Sequence, residues 1–143
     1  MKSLNLKLII PFIILTFNNS EKNKTGPTPI QIVTDKETYS LNESIKLEII
    51  NSSDSIARYF VCSSYKGIPP NIFKLENNSW TVFWSPICNG FSSYCCLEMQ
   101  KNESYKDTLT FEFEKGTYRI EYQFIVRPSH EYKSYFSNVI EFK

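Results

Sequence analysis

The stretch Lys115-Gly116-Thr117-Tyr118-Arg119-Ile120-Glu121-Tyr122-Gln123-Phe124-Ile125-Val126 decides how the rest of the chain is read. Tyr118, Ile120, Tyr122, Phe124 and Val126 recur at every second position, with Arg119, Glu121 and Gln123 between them and Ile125 the one exception. Side chains alternate faces along an extended backbone, so the pattern predicts a long β-strand with one face in a core and one in water. Gly116, two residues before Tyr118, supplies the turn that starts it. Such a strand needs a second sheet over its apolar face, which predicts an all-β sandwich.

The flanking segments repeat the pattern. Ile30 and Ile32 open a short first strand, and Thr34 to Leu41 carries turn residues followed by Tyr39 and Leu41, as where an edge strand breaks and crosses. Ile45, Leu47 and Ile49 alternate with Lys46 and Glu48, and a third strand is expected from Ile56 to Cys62. Between them, Asn51-Ser52-Ser53-Asp54-Ser55 is a turn cluster whose short polar side chains bond their own backbone. Pro69 and Pro70 cannot donate ladder hydrogen bonds, so residues 63–71 read as a loop. Ile72–Glu76 and Trp80–Trp84 flank Asn77-Asn78-Ser79, a hairpin signal. Trp80, Val82 and Trp84 share parity, which predicts that all three face the core. Ser85–Tyr94 looks irregular, Tyr105, Leu109, Phe111 and Phe113 alternate with polar residues, and Phe136, Ile140 and Phe142 close the last strand. The count is seven to nine antiparallel strands.

The totals set the class. At 143 residues the chain is one domain of ordinary size. Its 16 basic and 15 acidic residues give a net charge of +1, so no basic stripe argues for nucleic acid or an anionic membrane as partner. Aromatic residues are 15 % of the chain and Ala occurs once, at Ala57, which disfavours long helices and favours strands.

Lys2 and Lys7 precede the apolar run Leu8–Phe17, a secretory pattern too short for a membrane span. Residues 1–19 are therefore expected to be a signal peptide, 20–28 a flexible polar tether, and 29–143 the sandwich, exported to the periplasm or beyond the cell. No stable membrane span is expected once the leader is removed. Behind a leader, the four cysteines Cys62, Cys88, Cys95 and Cys96 read as disulfides rather than a metal site, because no Cys-x-x-Cys pair exists and His130 is the single histidine. Three pairings are open; adjacent Cys95 and Cys96 would bond to each other only with strain.

Lys115-Gly116-Thr117-Tyr118 with Ile120, Tyr122 and Phe124 resembles the corner that opens strand F of immunoglobulin-like domains, where a tyrosine hydroxyl bonds to upstream backbone. Tyr118 stands at that tyrosine position. Antibody domains carry a cysteine two residues later, where this chain has Ile120, so the resemblance implies no inter-sheet bridge of that kind. Residues 39–54 and Ser137–Phe142 resemble the crossing segment and closing strand of bacterial immunoglobulin-like β-sandwich domains of secreted proteins. The resemblance spans roughly residues 29–143 apart from the cysteine-bearing insert, and implies an immunoglobulin-like β-sandwich. Bacterial proteinase inhibitors of the intracellular type share such a sandwich, though here a leader precedes it and no loop identifies itself as protease-binding.

Catalysis is not expected. His130 is alone in a polar loop, Asp35, Asp54 and Asp107 lie at turns or a strand edge, and no Gly-rich loop or Asp-x-Asp cluster suggests a phosphate, cofactor or metal. The six Asn-x-Ser/Thr triplets would be glycan acceptors in a eukaryotic secretory pathway and turn chemistry in a bacterium; the resemblance to bacterial domains implies the latter, and no glycan is expected. Better material lies in the loops: Arg127, His130, Tyr132 and Tyr135, with Tyr65 in the proline loop, are residue types favoured at binding surfaces, against the competing reading that Tyr132 and Tyr135 pack over the end of the sandwich. The expected function is a non-catalytic, secreted module that binds a protein or a glycan through its loops. The alternatives are a secreted proteinase inhibitor on the same scaffold and a structural accessory domain of a cell-envelope assembly, docking through its last strand.

Overall fold

The computed structural model describes residues 28–62, 65–88 and 96–143. The expected leader and nearly all of the tether lie outside them. The described residues form eleven strands and no helix: β1 (Ile30–Thr34), β2 (Thr38–Tyr39), β3 (Ile45–Asn51), β4 (Ala57–Phe60), β5 (Asn71–Glu76), β6 (Ser79–Trp84), β7 (Cys96–Met99), β8 (Ser104–Leu109), β9 (Gly116–Val126), β10 (Lys133–Phe136) and β11 (Ile140–Phe142).

Two sheets face each other across one core. The smaller has the order β1-β3-β8, antiparallel throughout. The larger is built on β9. One edge of β9 pairs with β11 near its start and β10 further on; the other pairs with β5 and then β4. β6 extends this sheet beside β5, β7 extends it beside β4, and β2 joins β11 in parallel. The chain thus crosses from the smaller sheet to the larger between β1 and β2.

The core follows from period-two patterning. Ile45, Leu47 and Ile49 of β3 meet Ile120, Tyr122 and Phe124 of β9 in one cluster, all essentially buried. Burying each such aliphatic side chain contributes about 1.5–3 kcal/mol. Tyr118 packs edge-on against Phe113 and Phe142 at 5.2 and 5.6 Å, and its hydroxyl donates to the Glu114 carbonyl at 3.0 Å. Gly116 enters the strand at φ 151°, a backbone few L-residues adopt. Asn77 and Asn78 turn the β5–β6 hairpin at φ 49° and 63°, the left-handed pair that a two-residue hairpin requires.

Several local expectations are corrected. β8 ends at Leu109, not near Phe113, because residues 110–115 leave the smaller sheet to reach β9; Phe113 is still buried and stacks on Phe142 at 4.1 Å. The closing strand is divided into β10 and β11 at Ser137. Its Oγ accepts from Ile120 N at 3.0 Å while its own N–H donates to Ile120 O at 2.8 Å, so a side chain replaces one ladder carbonyl. Such interruptions raise the strand count to eleven. β7 forms beyond the irregular insert.

The expectation for Trp84 holds and that for Trp80 and Val82 does not. Strand β6 shifts register against β5 between Ile72 and Phe73. Phe83 and Trp84 consequently both face inward, against Tyr118 at 5.2 Å and Phe111 at 4.6 Å. Trp80 and Val82 are turned to the outer face, where Val82 is 61 % exposed. Glu121 also departs from its expected place in water: it is 6 % exposed and accepts from Asn71 Nδ2 at 2.7 Å. The outer face of the larger sheet has a packed layer of its own.

Candidate functional site

The outer layer grows from the register of three strands. On β9, Arg119 and Glu121 alternate with the buried Tyr118, Ile120 and Tyr122. Asn71 stands opposite Glu121 and Phe73 opposite Arg119 on β5; Val82 stands opposite Phe73, and Trp80 opposite Leu75, on β6. From the other edge Phe136 stands opposite Glu121. Side chains opposite one another in a sheet share a face, so a contiguous row runs Phe136, Arg119, Phe73, Val82, with Trp80 and Leu75 beside it.

Arg119 is the centre of the row. Its guanidinium carbon lies 4.2 Å from the Phe136 ring centroid, 4.4 Å from Trp80 and 5.5 Å from Phe73. Phe73 and Phe136 themselves meet edge-on at 6.3 Å. Each close cation–π contact contributes about 0.5–2 kcal/mol, according to how dry it is. The rings pack around the cation and offer no acceptor to its N–H donors. Among the described residues no acceptor meets them: Arg119 enters none of the ion pairs, and its Nε is buried with no hydrogen-bond partner. Around this cation Val82, Phe136 and Leu75 are 61 %, 42 % and 38 % exposed.

The five loop residues singled out in the sequence are not brought together. Arg127 and His130 lie exposed in the β9–β10 turn, over a shallow hollow with Arg58, whose guanidinium pairs with Glu98 at 2.8 Å. Tyr132 is 43 % exposed, with its hydroxyl 3.4 Å from Cys96 Sγ, and borders a second hollow of about 220 Å³ with Phe60, Asn71, Ser85 and Gln123. Tyr135 turns inward against Phe124 at 6.2 Å. Tyr65 packs on Trp84 at 5.9 Å, and burial, with Asp107 and Tyr105 nearby, pushes its hydroxyl up to about 12. Tyr65 and Tyr135 therefore support the sandwich from within, while Arg127 with His130 and Tyr132 occupy separate places.

Cys62 and Cys88 are bridged, with Cα atoms 5.2 Å apart, tying the end of β4 to the segment after β6. Cys95 lies outside the described residues. No group of three His, Cys, Asp or Glu side chains converges among the described residues, and no helix there is long and apolar enough to cross a membrane.

The outer row had a signal that alternation alone conceals. Ile72-Phe73 and Trp80-Thr81-Val82-Phe83-Trp84 place large apolar residues at both parities. In an antiparallel sheet, apolar residues on both faces mean that the outer one is covered or meets something.

No protein-family model and no curated protein matches the chain. Among solved structures, it is similar to Spo0M, a sporulation control protein from Bacillus subtilis, at 11 % identity and a TM-score of 0.44 over 80 % of this chain; the match spans 48 % of Spo0M. A structural-genomics target, SoR45, matches at 11 % identity and 0.39, over 78 % of this chain and 80 % of its own. The ASH/PapD-like domain 7 of human CEP192 matches at 14 % identity and 0.33, over 99 % and 98 %. Strand order and pairing carry the fold assignment without them: the chain is an all-β sandwich of immunoglobulin-like architecture, with a cationic aromatic row on the outer face of its larger sheet.

Proposed function

We propose that this chain is an exported, non-catalytic immunoglobulin-like module that binds a protein partner through the outer face of its larger sheet. The observation that carries the reading is the partly exposed row Phe136, Arg119, Phe73 and Val82 with Trp80 and Leu75. Large rigid rings and an arginine in one contiguous, partly dry patch are the residue types that dominate binding energy at protein interfaces. Exposed aliphatic Val82 and Leu75 favour a protein over a sugar, whose sites pair aromatic rings with dense polar hydrogen bonding. The Cys62–Cys88 bridge and the basic-then-apolar N-terminal pattern support an oxidising compartment outside the cytoplasm.

The test is affinity capture from the envelope and culture fluid of the source organism, run with the native chain and with Val82→Asn/Leu75→Asn. Both positions are exposed, so the variant is expected to fold. A partner held by the native chain and lost by the variant supports the sheet face. A partner held equally by both, and lost on Arg127→Ala/His130→Ala, moves the site to the β9–β10 loop and overturns the reading.

A further inference from the structure

Arg119 has aromatic rings around its cation and, among the described residues, no acceptor for its N–H donors. Phe136 and Trp80 lie 4.2 and 4.4 Å from its guanidinium carbon, its Nε is buried with no hydrogen-bond partner, and no carboxylate of the described residues pairs with it. Glu121, two residues along the same face, is already held by Asn71 at 2.7 Å. Nε is closed to solvent, so the terminal Nη groups are the donors an incoming ligand can reach, and a guanidinium held among rings is pre-set for a planar acceptor that takes two N–H groups at once.

We propose that Arg119 is the specificity residue of the face, donating to a single carboxylate, an Asp or Glu side chain, from an acidic segment of the partner protein. The inference rests on the docking face proposed above and names the chemistry that face selects. The number of cations sets the class of anion. Arg119 is the one cation in the row, and Lys74, within the neighbouring strand but of opposite parity to Phe73, is committed to Glu114 at 2.6 Å. A polyanion such as a sulfated glycan or a nucleic acid needs several free cations. One carboxylate needs one guanidinium. The apolar flanks, Val82 and Leu75 on one side and Phe136 on the other, then take the hydrophobic residues on either side of the acid.

The test is a random-peptide phage library panned on the full chain and counter-selected on Val82→Asn/Leu75→Asn. Selected peptides are resynthesised with each Asp or Glu replaced by its amide, which leaves the protein untouched. The expected result is face-dependent peptides with one acid at a fixed position, weakened about tenfold or more by that amide and by Arg119→Lys. Binding is also expected to move the Arg119 Nε–H resonance in an NMR titration with the acid peptide and not with its amide. Face-dependent peptides that bind equally well as amides overturn the carboxylate and leave the docking face standing. A library yielding no face-dependent peptide overturns both.

Discussion

Trp80 and Trp84, on the same strand and of the same parity, lie on opposite sides of the larger sheet. Trp80 is 4.4 Å from the Arg119 guanidinium on the outer face, and Trp84 is 4.6 Å from the Phe111 ring inside. The register shift of β6 against Ile72 and Phe73 separates them. Trp84→Ala is expected to cost about 3 kcal/mol or more, as a large ring removed from a packed core does. Trp80→Ala is expected to cost about 1 kcal/mol, the scale of a cation–π contact at a partly open site. Urea midpoints of the two variants check the difference, and equal losses would contradict the assigned faces.

Asn51 ends β3 fully buried, and its side chain ties the turn that follows β3 to the end of β7. Nδ2 donates to the carbonyls of Ser55, Met99 and Gln100 at 2.8, 3.0 and 3.0 Å, while Oδ1 accepts from Ser53 N and Oγ at 3.1 and 2.6 Å. Asn51→Ala strands these groups and is expected to destabilise by about 3 kcal/mol. Asn51→Asp does not rescue it, since a carboxylate supplies no donors. Thermal unfolding of the two variants tests this. The Asn51-Ser52-Ser53 triplet is therefore closed to a glycan in the folded chain.

The Cys62–Cys88 bridge closes a 26-residue separation. Loop-closure entropy assigns such a cross-link about 3.5 kcal/mol, by limiting the unfolded chain. Cys62→Ser/Cys88→Ser is expected to fold to the same sandwich with a lower denaturation midpoint, read by chemical denaturation with and without reductant. A variant as stable as the native protein would show that the bridge does not constrain the unfolded chain.

Burial raises Tyr39, Tyr59, Tyr65, Tyr105, Tyr118, Tyr122 and Tyr135 above the usual tyrosine value, Tyr39 and Tyr65 to about 12 and Tyr122 well above 10. A folded value above the unfolded one contributes stability that is complete below the unfolded value, near 10, and is lost as pH rises through the folded one. The sandwich is thus expected to unfold in alkali between about pH 10 and 12, with tyrosinate absorbance rising together with loss of the β-sheet circular dichroism signal. Smooth titration of most tyrosines in a chain still folded would overturn the burial assignment.

Much of the architecture was legible because it follows from local rules. The parity of Tyr118, Ile120, Tyr122 and Phe124 marked the inner face of β9, Asn77-Asn78 marked the hairpin, and Gly116 before Tyr118 marked the corner. The candidate site was legible only in part. Arg127, His130, Tyr132, Tyr135 and Tyr65 were singled out by residue type, and residue type does not say which way a tyrosine turns. Tyr65 and Tyr135 turn inward. Arg119 read as an ordinary water-facing residue of an alternating strand, because the rings that enclose it come from β5, β6 and β10.

The sequence by itself determined the all-β class, the inner face of the central strand, the turns and the likeness to immunoglobulin-like sandwiches, since all of these depend on neighbours one to four residues apart. Only the tertiary structure decided the outer face. A one-residue register shift sends Trp84 inward and leaves Trp80 and Val82 outside, and the pairing of β9 with β5 and β10 brings Phe73 and Phe136 to Arg119. Register between strands distant in the chain is set by the packing of the whole sandwich, so the row around Arg119 exists only once the sheets have closed.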